Sequence, residues 1–296
     1  MKILLTGASG QLGRCIVDAL QETDHLFVAP DSSELNITQP ESIPTAFAQY
    51  RPDIVINTAA YTAVDKAEQD VEQAFRINEL GPRLLAKACQ QAGIPLIHLS
   101  TDYVFDGTAT APYSPDAVTS PQNVYGQSKL KGEKAIQEES SEYVILRTSW
   151  LFSEYQNNFA KTILRLAHSR DSLAVVADQY GSPTYAGDIA SAIVGIIDQI
   201  SAGNHQWGIY HYVGDRATSW HGFAVAIIDE ASMQSPAFKR IPVKAIGTED
   251  YPTPAKRPAF SVLDMTSTEA TWNIKPSNWR AALVRITPKV IAALQE

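Results

Sequence analysis

A glycine-rich turn separates the first apolar run of the chain from its first helical stretch, and no other feature restricts the fold as much. Lys2–Thr6 is typical of a buried β-strand, and Gly7, Gly10 and Gly13 follow it in a GxxGxxG spacing. Glycines so placed permit a tight strand-to-helix turn, close approach of the backbone to a pyrophosphate, and close packing of helix on strand. The next helix, predicted over Gln11–Gln21, directs free N–H groups at an anion. The first βα junction therefore favours a dinucleotide site over an ordinary turn.

Short apolar runs alternate with longer helical patterns through the first half of the chain. The predicted strands are Lys2–Thr6, His25–Ala29, Asp53–Asn57, Pro95–Leu99 and Tyr143–Arg147, and the predicted helices are Gln11–Gln21, Glu41–Gln49, Gln69–Gln91 and Pro121–Glu138. Alternation of this kind is typical of βαβ units. We therefore predict an α/β fold, a doubly wound parallel sheet with helices on both faces.

The alternation loosens beyond Trp150. Further elements are predicted as helices over Asn158–His168, Asp188–Ile200 and Trp279–Leu294 and as a strand over Leu173–Val176, with proline-rich segments between residues 241 and 260. The sequence predicts a dinucleotide-binding domain over residues 1–150, to which part of 170–215 returns. Residues 151–296 are predicted to form mostly a smaller, interleaved substrate-binding lobe.

Composition and charge restrict the partners. The 296 residues are 45% hydrophobic and 19% charged, which is typical of a globular protein and not of a disordered chain or a membrane protein. A net charge of -8 without a dense basic block predicts neither nucleic acid nor a membrane as partner. The two cysteines, Cys15 and Cys89, both fall in predicted helices and do not suggest a disulfide framework. The first apolar run is too short for a signal peptide, so a cytoplasmic protein is expected.

Tyr125 and Lys129 lie four residues apart on one predicted helix, so both side chains can reach one site. Reduction of a ketone by hydride leaves an alkoxide-like oxygen that needs a proton, and a phenol beside a cation is a suitable donor. Thr101 ends a predicted strand at the carboxyl edge of the sheet, where ligands of such folds bind. A surface pair for the tyrosine and lysine, and a strand-end turn for the threonine, are the alternatives.

Asp31 follows the second predicted strand, where an acidic residue would hydrogen-bond a ribose 2′-hydroxyl and favour NADH. The neighbouring Ser32 and Ser33 could instead accept the 2′-phosphate of NADPH, and a solvated turn is a third interpretation. The choice between NADPH and NADH stays open.

Three ordered motifs resemble those of the extended short-chain dehydrogenase/reductase family: the glycine turn, Ser100-Thr101, and Tyr125 with Lys129. Longer strings resemble the dTDP-4-dehydrorhamnose reductase family within it, namely residues 57–68, 100–107, 146–150 and 178–184, and Arg257-Pro258 with Ser261 and Leu263-Asp264. The resemblance implies a Rossmann fold. It also implies reduction of the C4 ketone of dTDP-4-dehydro-β-L-rhamnose to dTDP-L-rhamnose, a step of cell-surface polysaccharide biosynthesis.

The same resemblance implies a role for each matching position. Tyr125 would be the acid, Lys129 its partner, and Thr101 a donor to the substrate carbonyl. The implied cofactor-binding residues are Gly7, Gly10, Gln11, Leu12, Gly13, Asp31, Ser32, Asn36, Ile37, Ala59, Ala60, Tyr61, Ser100, Tyr125 and Lys129. The implied substrate-binding residues are Val64, Thr101, Asp102, Tyr103, Tyr125, Trp150, Asn158 and Arg257. Alternatives for the last three are a core residue, a helix cap and a structural ion pair.

One position departs from the family pattern. Asn36 stands where the family often has an aspartate, which removes a charge near the expected adenine, although an amide oxygen can still accept a hydrogen bond. The departure affects the expected strength of the contact with adenine and leaves the expected catalytic chemistry unchanged.

Two other classes of function stay open. A related fold serves as the non-catalytic regulatory subunit of methionine adenosyltransferase, but retention of Thr101, Tyr125 and Lys129 together argues for catalysis. Related epimerases and dehydratases usually carry an Asp-Glu pair beside the threonine, where this chain has Asp102-Tyr103. Some relatives form a homodimer around a divalent ion, but no motif here identifies ligands, so no metal is predicted. The nucleotide base, the sugar and the oligomeric state are not determined by the sequence.

Overall fold

The computed structural model describes residues 1–236 and 238–295. Its strands, in chain order, are β1 (Lys2–Thr6), β2 (Leu26–Val28), β3 (Ile54–Asn57), β4 (Leu96–Thr101), β5 (Tyr143–Thr148), β6 (Leu151–Phe152), β7 (Leu173–Val176), β8 (Tyr180–Gly181), β9 (Thr184–Tyr185), β10 (Gly208–His211), β11 (Thr218–Ser219) and β12 (Val243–Ile246). Its α-helices are α1 (Gln11–Gln21), α2 (Ser42–Tyr50), α3 (Val64–Ala67), α4 (Val71–Phe75), α5 (Gly81–Ala92), α6 (Val124–Glu139), α7 (Phe159–Ser169), α8 (Ala186–Ser201), α9 (Trp220–Gln234), α10 (Thr266–Trp272) and α11 (Trp279–Gln295).

A six-stranded parallel sheet forms the centre of the molecule, in the order β10-β5-β4-β3-β1-β2. The predicted α/β fold with a doubly wound parallel sheet is therefore confirmed. The five strands predicted in the first half lie within two residues of their expected bounds. The sixth, β10, was not predicted, and it pairs in parallel with β5 at one edge.

Alternate residues of each central strand face opposite layers of helices. Ile3, Ile56 and Ile97 pack with α1 and α8 in one apolar cluster. Leu4 and Val55 of the neighbouring positions pack with α2, α5 and α6 on the other face. Because both faces are covered, the strands are continuous apolar runs that become polar only near their carboxyl ends.

The C-terminal lobe has its own apolar cluster, formed by α7, α9 and α11 around side chains such as Phe152 and Phe223. Two short strands, β7 and β12, pair in parallel beside it. Within the described part of the chain, no helix combines the length and the apolar character that crossing a bilayer requires.

The single helix predicted over Gln69–Gln91 is wrong, because the structure breaks it. Helix α4 runs into a π-helical turn at Arg76–Leu80, and α5 then begins with Pro82 in its first turn. Proline has no N–H to donate to the carbonyl four residues earlier, which is that of Asn78. Gly132 of α6 lies against this carbonyl, where an added Cβ would come within 2.0 Å of the oxygen.

The helix predicted over Pro121–Glu138 begins later than expected. The Asn123 side chain accepts a hydrogen bond from the Gly126 N–H and so fixes the N-cap immediately before α6. This start places Tyr125 in the first turn of the helix, where it lines the crevice described next.

Candidate active site

The glycine turn forms one end of the candidate site. Gly7 has φ +78°, which favours glycine, and a Cβ on it would lie 2.5 Å from the Ala59 nitrogen. A Cβ on Gly13 would lie 2.2 Å from the Gly7 oxygen, so α1 packs directly on the turn. Helix α1 begins after Gly10 without a side-chain cap, which leaves its first N–H groups directed outward. The turn therefore has the free N–H donors, and at its glycines the bare backbone, that a pyrophosphate requires.

A crevice of about 870 Å³ runs from this turn along the carboxyl ends of the central strands to α6. Most of the residues that the sequence singled out line it, namely Gly7, Gly10, Gln11, Leu12, Gly13, Asp31, Ser32, Asn36, Ile37, Ala59, Ala60, Val64, Ser100, Thr101, Asp102, Tyr103, Tyr125, Lys129 and Trp150. The location is the usual ligand position of an open α/β sheet. The crevice also fits a dinucleotide in its chemistry, because the buried Thr148 hydroxyl lines it without a partner among the described residues.

Asp31 lies exposed at the far end of the crevice, after β2. Its Oδ1 accepts hydrogen bonds from the Ser33 N–H (2.7 Å), the Ser33 hydroxyl (2.6 Å) and the Glu34 N–H (3.1 Å). These donors, with the Ser33 hydroxyl first, lower the pKa of the carboxyl. The turn that carries Asp31 and Ser32 is thus held in one shape by the carboxylate itself.

Tyr125 and Thr101 meet at the opposite end of the crevice. Burial raises the pKa of the Tyr125 phenol to about 12, while the nearby Thr101 hydroxyl acts in the opposite direction. The Tyr103 ring packs edge-on against Tyr125 at a centroid distance of 5.5 Å. The phenol is consequently protonated and points at the same space as the threonine hydroxyl, as expected of an acid and an auxiliary donor.

Among the described residues, Lys129 and Tyr125 form no hydrogen bond with each other, and their pairing in the reaction stays a prediction. The buried Lys129 Nζ donates to the Leu99 carbonyl at 2.6 Å and lies 3.3 Å from His98 Nε2. Burial lowers the pKa of Lys129 to about 8, an effect that the charge of Glu133 opposes. Lys129 is not among the groups that shift the pKa of Tyr125. The long Lys129 side chain donates to a nearby strong acceptor, the Leu99 carbonyl, and not to the Tyr125 phenol.

Asp102 follows Thr101 and is buried, with 2% of its surface exposed. Its Oδ1 accepts from the Thr101 hydroxyl at 3.0 Å, and Ser261 lies close by. Burial raises the pKa of Asp102 to about 6 against the effect of these hydroxyls. The carboxyl therefore orients the threonine hydroxyl from beneath the site.

Sequence reasoning missed a buried ion pair directly under Ser100. Arg147 of β5 holds Glu133 of α6 through two hydrogen bonds, of 2.9 and 2.7 Å. The Ser100 hydroxyl donates to the same carboxylate at 2.5 Å. An arginine near the end of an otherwise apolar strand was the available signal, since a charge there needs a partner. The pair ties α6, which carries Tyr125, to the sheet.

Trp150 forms a wall of the crevice in a left-handed backbone conformation, with φ +46°. Its ring stacks on that of Trp220 at 3.5 Å, and Gly181 lies beneath it, where a Cβ would come within 2.5 Å of the ring. The tryptophan is thus both a lining residue and part of the contact between the lobes.

Three residues predicted to bind ligand do not line the crevice. The Tyr61 hydroxyl donates to Asp70 at 3.1 Å. Asn158 caps α7 by accepting from the Lys161 N–H at 3.1 Å. Arg257 pairs with Asp65 at 2.8 Å. Each contact matches a structural role, and ligand binding by these residues stays a prediction.

Polar residues that the sequence analysis passed over also lie at this edge. Thr6, Asn57 and His98 stand near the carboxyl ends of three adjacent strands and form a buried chain of contacts that leads to Lys129. A histidine within an apolar strand, two residues before Ser100 and so on the same face, was the signal that could have found it. Among the described residues, no cluster of three or more His, Cys, Asp or Glu side chains could hold a metal ion.

Comparison with known proteins agrees with this geometry. A family model described as the RmlD substrate binding domain matches residues 1–291. A dTDP-4-dehydrorhamnose reductase of Aggregatibacter actinomycetemcomitans is 46% identical over 288 residues, which cover 96% of this chain and 98% of the relative.

Two solved structures are similar over nearly the whole fold. A dTDP-4-dehydrorhamnose reductase from Clostridium acetobutylicum has a TM-score of 0.91 at 37% identity and covers 100% of both chains. One from Bacillus anthracis, in complex with NADP, has a TM-score of 0.88 at 36% identity and covers 97% of this chain and 99% of the other. By family model, sequence and structure alike, this chain belongs to the dTDP-4-dehydrorhamnose reductase family, the family of the RmlD substrate binding domain.

Proposed function

We propose that this chain is an NAD(P)H-dependent dTDP-4-dehydrorhamnose reductase, which reduces the C4 ketone of dTDP-4-dehydro-β-L-rhamnose to dTDP-L-rhamnose. One observation carries the proposal: a single crevice has the glycine turn at one end and the Thr101 and Tyr125 hydroxyls at the other. A cofactor anchored by its pyrophosphate at the turn and a ketone held at the hydroxyls would share that space. Relatives that carry this name support the choice of substrate.

The described residues fit a dinucleotide along the whole crevice. The N–H groups that follow Gly10 would bind the pyrophosphate, and Asp31 and Ser32 would meet the ribose next to the base. Ala59 and Ser100 at the ends of adjacent strands would lie along the nicotinamide half. When bound, the reduced nicotinamide supplies the hydride. The relative solved with NADP favours NADPH, and the exposed Asp31 leaves NADH as the alternative to be measured.

Tyr125 supplies the proton that the reduction requires. Its pKa is raised to about 12, so the phenol is protonated over the whole physiological range. The phenol proton passes to the former carbonyl oxygen as the ketone becomes an alcohol, and Tyr125 is left as a phenolate to be reprotonated from solvent. Because a bare phenolate in a buried site is costly, the Thr101 hydroxyl contributes by lowering the pKa of its neighbour.

Thr101 is the second donor to the carbonyl oxygen. Its hydroxyl donates to Asp102 and accepts from the Tyr103 N–H at 3.2 Å. A substrate oxygen would compete with Asp102 for that proton, and protonation of Asp102, with its pKa of about 6, would free the hydroxyl. Trp150 would offer the 6-methyl group of the sugar an apolar face.

The decisive experiment mixes the purified protein with dTDP-4-dehydrorhamnose and either reduced cofactor and follows the loss of nicotinamide absorbance. Tyr125→Phe should lower the rate by about 10²–10⁴-fold while leaving cofactor binding nearly unchanged. Tyr210→Phe is the matched control, because its hydroxyl donates to the Gln206 carbonyl far from the crevice, and it should turn over like the wild type. Full activity of Tyr125→Phe would refute the assigned acid. Cofactor binding without any turnover would favour a non-catalytic binding subunit.

We further propose that the enzyme works in the cytoplasm as a homodimer, and that residues 1–150 bind the cofactor while most of residues 151–296 bind the sugar nucleotide. Light scattering of the purified protein tests the dimer. Hydrogen exchange with each ligand alone tests this division: the cofactor should protect residues of 1–150 alone, whereas the sugar nucleotide, whose ketone would meet Thr101 and Tyr125, should also protect residues of 151–296.

A further inference from the structure

The first N–H group of helix α6 has a partner from a distant part of the chain. Val124 is the first residue of this helix, and the first N–H groups of an α-helix have no acceptor within the helix. The Val124 N–H donates to Glu68 Oε1 at 2.8 Å, although the two residues lie 56 positions apart in the chain. Glu68 directly follows the short helix α3, and nothing in the proposed reaction uses it.

A carboxylate is well suited to this position. The N-terminal end of a helix carries a partial positive charge, and a carboxylate oxygen forms a stronger hydrogen bond with a backbone N–H than a neutral oxygen does. The contact is half-buried, so water and salt weaken it less than they would at the open surface. Glu68 therefore stabilises the start of α6 from outside the helix.

Tyr125 lies between two N–H groups that are both held by side chains. The Val124 N–H before it is bound to Glu68. The Gly126 N–H after it donates to Asn123 Oδ1 at 2.8 Å. Helix ends fray where such groups lack partners. Here the backbone is fixed on both sides of the tyrosine, and so is the point from which its phenol extends.

The first turn of α6 also packs on the segment that follows Thr101. A Cβ on Gly126 would lie 2.2 Å from the Tyr103 carbonyl oxygen, so the two backbones are in direct contact. Tyr103 belongs to the short turn after Thr101, and its ring packs edge-on against Tyr125. A shift of the α6 start would therefore change the spacing between the Tyr125 and Thr101 hydroxyls.

A segment of the C-terminal lobe is bound to the same two helices. Asp65 of α3 accepts from the Ala255 N–H at 3.2 Å and pairs with Arg257 at 2.8 Å. Asn123, the N-cap of α6, donates through Nδ2 to the Lys256 carbonyl at 2.8 Å. The short helix, the start of α6 and this segment of the lobe are thus connected pairwise. The contact between the two helices completes the set.

We propose that Glu68 is a positioning residue, which fixes the start of α6 so that the Tyr125 phenol and the Thr101 hydroxyl meet the same substrate oxygen. The consequence for turnover rests on the proposed function of Tyr125. Glu68 does not line the crevice, so it acts only through the helix. A displacement of about 1 Å in a reacting group can slow a reaction by roughly 10²-fold.

Amide exchange of Val124 in the free protein tests the contact itself. An N–H without an acceptor at a helix start exchanges nearly as fast as in an unfolded chain, whereas a hydrogen-bonded one is protected. We expect protection of about 10-fold or more in the wild type and in Glu68→Gln, whose amide oxygen can still accept, and none in Glu68→Ala. A wild-type Val124 amide that exchanges as fast as that of Glu68→Ala would overturn the proposal.

The ring resonances of Tyr125 test whether the contact positions the phenol. Because the Tyr103 ring lies edge-on at a centroid distance of 5.5 Å, its ring current makes these resonances sensitive to displacement. In spectra of protein with ¹³C-labelled tyrosine, assigned with Tyr125→Phe, they should move in Glu68→Ala and keep their wild-type positions in Glu68→Gln. Unmoved resonances in Glu68→Ala would refute positioning through Glu68. Both measurements are made without cofactor or substrate, so they are independent of whether the protein reduces any ketone.

Single turnover at saturating NADPH and dTDP-4-dehydrorhamnose measures the effect on the reaction. Glu68→Ala should slow it roughly 10- to 100-fold, while the dissociation constants of both ligands stay within about 2-fold of the wild type. Glu68→Gln should recover most of the rate, because it restores the acceptor. A wild-type rate in Glu68→Ala despite displaced Tyr125 resonances would refute the role in catalysis.

Asp53→Ala is the matched control. Asp53 also holds a distant backbone N–H, that of Lys2 at 2.6 Å. This contact lies at the amino ends of β1 and β3, whereas the crevice runs along the carboxyl ends of the strands. The variant loses a comparable hydrogen bond, and it should keep the Tyr125 resonances and the single-turnover rate of the wild type. A loss of rate equal to that of Glu68→Ala would overturn the assignment of a positioning role, because any loss of stability would then suffice.

Discussion

Burial shifts the pKa values of three side chains at this site away from their ordinary values. Burial keeps the Tyr125 phenol protonated, lowers the pKa of Lys129, and raises that of Asp102 to about 6. All three shifts oppose charge, as expected where a crevice wall excludes solvent. Burial at this site therefore opposes any new charge, including the phenolate that the proposed reaction would leave at Tyr125.

The raised pKa of Asp102 makes its contribution to the free energy of unfolding more favourable in mild acid than at alkaline pH. Its folded pKa of about 6 lies above the model-compound value of 3.8, so the folded state binds the proton more tightly than the unfolded state. Stability from this group is therefore present below the unfolded value and is lost as pH rises through about 6. Asp102→Asn should raise the free energy of unfolding at pH 8 by roughly 1–3 kcal/mol and have little effect near pH 4.

Denaturant titrations of both proteins at the two pH values measure this difference. Asp24→Asn is the control, because Asp24 belongs to an open turn, and it should behave alike at both pH values. Equal stabilities of Asp102→Asn and wild type at pH 8 would contradict the assignment of a buried carboxyl with a raised pKa.

The meeting of Tyr125 and Thr101 in one crevice could be predicted from the sequence, whereas the contacts of Lys129 could not. Tyr125 and Thr101 are identified by local spacing, a helix turn and a strand end. The lysine has four rotatable side-chain bonds, and its partners Leu99 and His98 lie thirty residues away on a strand. Which of two acceptors it prefers depends on packing that no local pattern encodes.

At the scale of elements, the glycine turn combines two different requirements. Gly13 is needed for the packing of helix on strand, because a Cβ there would lie 2.2 Å from the Gly7 oxygen. At Gly10 a Cβ would meet only that same oxygen at 3.4 Å, an ordinary contact, and the backbone has φ -74°. The fold therefore tolerates a side chain at Gly10, and only a ligand would oppose it.

The two alanine variants should separate these roles. Gly13→Ala should lower the free energy of unfolding by about 1–3 kcal/mol and also weaken cofactor binding. Gly10→Ala should change stability by less than about 0.5 kcal/mol yet weaken NADPH binding, because its methyl group points where the backbone must approach the pyrophosphate. Thermal unfolding and fluorescence titration with NADPH give the two quantities. Unchanged NADPH affinity in Gly10→Ala would place the pyrophosphate elsewhere.

Helices and strands whose apolar residues recur with a clear period were predicted well, and those without such a period were missed. Helix α1 has one apolar stripe and matches its predicted bounds. Helix α9 is apolar nearly all round, since it packs within the C-terminal lobe, so no stripe marks it. Strand β10 has only four residues, and it is identified only by its pairing with β5. The π-helical turn occurs where Pro82 has no N–H to donate to the Asn78 carbonyl. This carbonyl packs against Gly132 of another helix, and helical periodicity in the sequence cannot reveal such a tertiary contact.

At the scale of the whole molecule, a strap of residues 153–158 connects the C-terminal lobe to the glycine turn. Asn158 Nδ2 donates to Gln11 Oε1 at 2.9 Å and to the Ser153 carbonyl at 2.8 Å. Gln156 donates to the Ser9 carbonyl at 2.8 Å. The lobe that would bind the sugar is thus fixed directly to the loop that would bind the cofactor.

Asn158→Asp should loosen this connection while keeping the helix cap, because an oxygen still faces the Lys161 N–H. The lost donors leave carboxylate and carbonyl oxygens facing one another, so we expect a loss of about 1–3 kcal/mol in unfolding free energy. We also expect NADPH to bind roughly 3- to 10-fold more weakly. Ser219→Ala, which removes the N-cap of α9, should cost about 1 kcal/mol and leave NADPH affinity unchanged. Calorimetry measures the NADPH affinity of both variants. Equal affinities in Asn158→Asp and Ser219→Ala would show that the strap does not contribute to cofactor binding.

The late position of β10 and α8 in the chain has a consequence for biosynthesis. Strand β10 completes the edge of the sheet beside β5, and α8 covers the apolar face next to α1. A ribosome adding about 5–20 residues per second needs several seconds to make the segment between β5 and the end of β10. During that interval the nascent chain presents an unpaired strand and a bare hydrophobic surface. Chaperone capture, or pairing with a neighbouring polypeptide on the same polysome, should therefore be most frequent between those two points of translation.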